Sequence, residues 1–209
     1  MVMARSNPNA GGDFENCPEG MWDAVCVDVI DLGITKTGFK DKAGNDEEKP
    51  MVAFGFQVAV VDENDKPLTQ ANGQPFYIRS RYNNTLGGGS KRSNLLDFLE
   101  NWTGKTIPDD VREKGFDLDA MLGRNAQVVV VHRQNKGGKT FANIKTITPA
   151  RKGATKLKAT PEFVRVKDRP GYEPPFGSEE WAKRNPQLAG GSAPQGGQEE
   201  DDIDSDLPF

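Results

Sequence analysis

The segment MVAFGFQVAVV (51–61) constrains the fold more than any other stretch of the chain. Val52, Phe54, Phe56, Val58 and Val60 fall on one side of an extended backbone, and Ala53, Gly55, Gln57 and Ala59 on the other. Successive side chains of a β-strand point to opposite faces, so the spacing predicts a strand with one heavily apolar face. Its other face is lined by small residues, which leave room for a backbone or a ligand to approach closely. Such a strand needs partners for its N–H and C=O groups and a cover for its valines and phenylalanines.

Four further segments supply the partners. In EGMWDAVCVDVIDLG, Val25, Val27 and Val29 alternate with Cys26, Asp28 and Ile30, and Gly33 is expected to end the strand. FYIRSRYN (76–83) alternates Phe76, Ile78 and Ser80 with Tyr77, Arg79 and Arg81. NAQVVVVHR (125–133) and KTFANIKTITP (139–149) are β-branched runs joined by an NKGG turn. FKDKAGNDEEKP (39–50) and DENDKPLTQANGQP read as polar loops. Between the third and fourth strands, GGGSKRSNLLDFLENWTGK carries Leu95, Leu96, Leu99 and Trp102 at helical spacing. Ser90 or Ser93 stands at its N-cap and Gly104 at the left-handed position past its end. Pro108 to Lys114 and an Asp117-capped LDAML add short turns. The order β-β-β-α-β-β predicts an all-β fold with minor α content. Its ground plan is that of the five-stranded OB-fold, a Greek-key barrel with a helix between strands 3 and 4.

Four regions follow. Residues 1–18 are polar and broken by Gly and Pro, the composition of a flexible arm. Residues 19–149 form the barrel domain. Residues 150–189 are a basic, Pro-containing extension, in which Ser178-Glu-Glu-Trp-Ala-Lys-Arg predicts a short helix with acids first and bases last. Residues 190–209 are a Gly-rich linker and an acidic tip, expected to be disordered like the arm. No apolar run approaches the roughly 18 residues of a membrane span, and the N-terminal stretch lacks a signal-peptide core. The expected location is therefore the cytoplasm, where Cys17 and Cys26 remain thiols.

The formal charge of −4 conceals a strong segregation. Residues 79–169 hold 19 Lys and Arg against 9 Asp and Glu, whereas residues 1–78 hold 6 against 13. Residues 190–209 add six acids and no base. A basic region beside an acidic appendage points to a polyanionic partner. Signals for catalysis are sparse. Gly87-Gly88-Gly89-Ser90-Lys91 lacks the register of a phosphate-binding loop, and His132 is the single imidazole, set within a strand. No zinc-type ligand set is present, and no cofactor or catalytic residue is expected. A metal-dependent nuclease using carboxylates from separate elements stays open as an alternative, as does a barrel that serves as a protein-binding adaptor.

Binding signals are richer. Unpaired strands are held by cations that follow phosphates and by rings on which bases stack. Tyr77, Arg79 and Arg81 supply both on one strand face. Phe141 and Lys145 share a side of the last strand, Arg133, Lys136 and Lys139 surround the preceding turn, and Lys91 and Arg92 open the helix. Trp22 and Phe39 are further rings, Trp22 fitting better as a plug at the barrel end.

The chain closes EEDDIDSDLPF. Asp201, Asp202, Asp204 and Asp206 precede Leu207, Pro208 and Phe209, so a stiffened approach presents a ring and an α-carboxylate in one residue. An apolar pocket with a basic lip would capture both. IDSDLPF resembles the acidic tip of bacterial and phage single-stranded-DNA-binding proteins. EGMWDAVCVDVIDLG, SNLLDFLENWTGK, FDLDAMLG and GKTFANIKTITP resemble a group of phage-encoded OB-fold proteins of that type, over residues 19–149. The resemblance implies a protein that coats single-stranded DNA during replication, recombination or repair. It also implies a tip that recruits replication or recombination proteins, and host cytoplasm as the location. Oligomeric state stays open.

Overall fold

The computed structural model describes residues 15–87, 91–135 and 137–186. Six strands are present: β1 (Gly20–Lys40), β2 (Asp46–Val61), β3 (Pro67–Leu68), β4 (Phe76–Asn83), β5 (Asn125–Gln134) and β6 (Thr140–Pro149). All pair antiparallel, in the order β3-β2-β1-β5-β6, with β4 also on β2. The fold is all-β with minor α content. In place of the expected five-stranded closed barrel, the ladders form an open sheet of six strands, and among the described residues none joins β4 to β6. The added strand, β3, is two residues that pair with Val60 and Val61.

β1 does not stop at Gly33. That glycine (φ 62°) donates to Asp31 Oδ1 at 2.9 Å and sits at a register shift, after which pairing with β2 continues to Lys40↔Asp46. A left-handed residue of this kind makes a bulge as readily as a terminus. Residues 39–50, expected as a loop, thus form the far end of a two-stranded ribbon. Its turn is fixed by Asp41, whose carboxylate accepts from the N–H groups of Ala43 and Asn45. Order also begins before residue 19. Asn16 grips the edge of β6, donating to Thr140 O and accepting from Ala142 N, and Cys17 is buried.

Helix α1 (Asn94–Thr103) starts at Ser93, whose hydroxyl accepts from Leu96 N at 3.0 Å, and ends at Gly104. Ser90 lies outside the described residues. The helix lays Leu95, Leu96, Phe98, Leu99 and Trp102 on the inner face of the sheet. There Phe54 and Phe56 of β2 meet Trp102 at ring separations of 6.0 and 5.1 Å, and Tyr82 meets Phe98 at 4.4 Å. Burying each such side chain contributes about 1.5–3 kcal/mol, and edge-to-face rings add to that. Short helix α2 (Asp109–Lys114) and a 3-10 turn (Leu118–Met121) return the chain to β5. No helix among the described residues is long and apolar enough to cross a membrane.

Among the described residues, the core within this inner layer draws on residues 17–147. Beyond Pro149 the chain contributes α3 (Glu179–Arg184), capped by Ser178, and otherwise irregular backbone. Ser178 is the one buried residue between 150 and 186.

Candidate nucleic-acid interface

Strand register sets the outer face. Val25, Asp28 and Ile30 of β1 stand opposite Gln57, Gly55 and Ala53 of β2, which stand opposite Tyr77, Arg79 and Arg81 of β4. A bulge between Cys26 and Asp28 changes the phase of β1, so Asp28 joins this face while Val29 turns toward the core. The alternation of β4 continues to Asn83, the fourth outward residue of the column.

The room predicted beside Gly55 is filled by the Tyr77 phenol: a Cβ at Gly55 would stand 2.2 Å from the hydroxyl. Over this layer lies the basic extension, here termed the strap. Asp23 holds its start, accepting from Arg151 Nη2 at 2.6 Å, and Asn125 follows, accepting from Leu157 N at 2.7 Å and donating to Leu157 O at 3.0 Å. Gln57 repeats the pattern on Thr160, with Nε2 donating to Oγ1 at 2.8 Å and Oε1 accepting from the Thr160 N–H at 2.9 Å. Phe163 stacks on Tyr77, centroids 5.9 Å apart at 29°. The strap then turns back to β1. The fully buried Asp28 accepts from Val166 N at 2.8 Å and Arg165 Nε at 3.2 Å, and Arg165 also reaches Asp119 at 3.0 Å. Finally Ile34 N donates to Phe176 O, and Asp31 accepts from Glu179 N.

This cover explains why Met51–Val58 is buried without alternation. It also leaves polar atoms beneath it unmatched. Arg79 Nε and Asn83 Oδ1 are buried with no hydrogen-bond partner, and the buried Tyr77 phenol has only the neighbouring Arg79 guanidinium to bond. Such groups are rare and costly in folded proteins, and their grouping on one strand face marks it as unusual. Burial pushes the Tyr77 phenol above its usual range, and the Arg79 charge pulls the other way.

The other sequence candidates fall into separate groups. Arg133 and Phe141 face each other across β5 and β6, and Lys139 Nζ stands 5.3 Å from the Phe141 ring centre. Lys145 is exposed in a bulge opposite Val129 and Val130. Lys91 is exposed. Arg92 is engaged: its guanidinium pairs with Asp97 at 2.7 Å and with Glu100, whose carboxyl it holds below the usual range. Two helix acids thus already neutralise it. Trp22 packs against the core, its Nε1 donating to Pro18 O at 2.9 Å, and Phe39 is exposed on the ribbon. Lys136 and the tail residues Asp201, Asp202, Asp204, Asp206, Leu207, Pro208 and Phe209 lie outside the described residues. Asn83, Asp28 and Phe163 were not singled out for the outer face from sequence, and Gln57 was placed there only as part of the open side of β2. Asn83 carried a signal as the next step in the β4 alternation.

Among the described residues, no three His, Cys, Asp or Glu side chains gather to hold a metal ion. No protein-family model matches the chain, and no curated protein matches it.

Proposed function

We propose that this chain binds single-stranded DNA, coating transient strands in replication, recombination or repair without making or breaking a bond. The observation that carries the reading is the β4 column. One ring and two guanidinium groups share a strand face, and buried polar atoms of Arg79 and Asn83 there lack protein partners. Rings and cations side by side are what an unpaired, stacked polyanion requires, each stacked base being worth about 1–3 kcal/mol.

An OB-type barrel is part of the proposal. The five long strands, with α1 between β4 and β5, follow that order, and β4 and β6 border the seam a closed barrel would join. OB-folds bind oligonucleotides on the face of their second and third strands, flanked by the first and fourth interstrand loops. Here those strands are β2 and β4. The flanking loops are the Lys- and Phe39-bearing ribbon and the β5–β6 turn with Arg133, Lys139 and Phe141. The acidic tip belongs to the proposal as a recruiting peptide for replication or recombination proteins in a host cytoplasm, resting on its resemblance.

The test is titration of the full chain with single- and double-stranded oligonucleotides at several salt concentrations, beside an Arg79→Ala/Arg81→Ala variant. Each lost single-strand phosphate contact lowers the log–log salt slope by about 0.7, so the variant should lose about 1.4. Binding with an unchanged slope would move the interface to the β5–β6 hairpin. Cleavage of the oligonucleotide with Mg²⁺ would replace the reading with a nuclease.

A further inference from the structure

The strap presents a conflict. Residues 150–169 carry seven Lys and Arg against two acids, yet residues 157–166 among them lie on the face that carries Arg79 and Arg81. Four acids meet the strap: Asp23 pairs with Arg151 at 2.6 Å, Asp28 and Asp119 hold Arg165, Asp119 also reaches Lys167 at 3.6 Å, and Asp31 accepts from Glu179 N. This leaves Lys152, Lys156, Lys158 and Arg169 with no ion pair among the described residues. Two cationic layers therefore face each other, and a polyanion entering between them would neutralise both. The core does not depend on this segment, since among the described residues none beyond Ile147 belongs to it. The strap is fastened by discrete clasps at Asn125, Gln57 and Asp28, each a side chain gripping the strap backbone. Phe163 of the strap stacks on Tyr77, the ring of the outward β4 column.

We infer that residues 157–166 are an internal competitor for the strand-binding face, with Phe163 occupying on Tyr77 the place of an unpaired base. The inference rests on the single-strand reading above and adds a base subsite at Tyr77 and a closed state that hides it. In the closed state Phe163 supplies the stacking surface, and the clasps hold it there. Binding of a strand exchanges the phenyl ring for a base and releases Lys156, Lys158 and Lys167 to follow phosphates. Apparent affinity is then the intrinsic affinity reduced by the fraction of molecules that are open.

Two variants of the full chain test this, both read by fluorescence anisotropy with a labelled oligothymidine. Phe163→Ala removes the competing ring and should tighten binding about 2- to 10-fold. Gln57→Cys/Thr160→Cys loosens one clasp as a dithiol and should also tighten binding. Closing the same pair with a short bis-thiol crosslinker should weaken it at least 10-fold, while wild type treated alike stays unchanged because Cys17 and Cys26 are buried. Wild-type binding that neither change alters, or weaker binding by Phe163→Ala, overturns the competitor and leaves the single-strand reading standing. No binding by wild type or either variant removes both.

Discussion

The two faces of the sheet are held by different physics. The inner face is closed by α1 and a cluster of rings, with Trp102, Phe54 and Phe56 fully buried. The outer face is closed by a segment with no strand and no helix longer than six residues, fastened through side-chain hydrogen bonds. Burial of apolar area is non-directional and sums over many contacts, whereas a clasp depends on a few atoms. The inner layer therefore fixes the fold, and in the closed-and-open scheme proposed above the outer layer changes state without unmaking it.

Substitutions on either side probe that difference. Trp102→Ala should have the largest effect, lowering global stability by about 3–5 kcal/mol in a denaturant titration, because the cavity lies beneath the whole sheet. Arg165→Ala should cost less, about 1–3 kcal/mol, by taking a donor from buried Asp28. Its signature is local: amide exchange should accelerate at residues 157–166 with little change at β2. Equal acceleration in both places would break the distinction between the layers. Ser93→Ala should cost about 1 kcal/mol through loss of the α1 cap, shifting the thermal midpoint without altering exchange in the strap.

The inner layer was legible because its information is local. Apolar residues at period two located β1, β2 and β4, β-branched runs located β5 and β6, and leucines at helical spacing located α1. Gly33 misled because glycine serves both to end a strand and to bulge one, and the continuation depends on pairing partners beyond residue 45. The β4 column was legible for the same reason as the core, since Phe76 and Ile78 fix which way Tyr77 and Arg79 point. Its cover was not. Gln57 and Thr160, or Asp28 and Val166, meet across more than 100 residues, and a proline-broken segment has no period to announce such contacts. Arg92 read as a phosphate ligand until Ser93 fixed the start of the helix, which brings Asp97 and Glu100 within its reach.

The most direct measurement is affinity of the intact chain for matched single-stranded and duplex oligonucleotides across a salt series. Tighter binding to the unpaired strand, weakening steeply with salt and by less after Arg79→Ala/Arg81→Ala, is the expected result. Equal affinity for duplex and unpaired strand in dilute buffer would contradict the account.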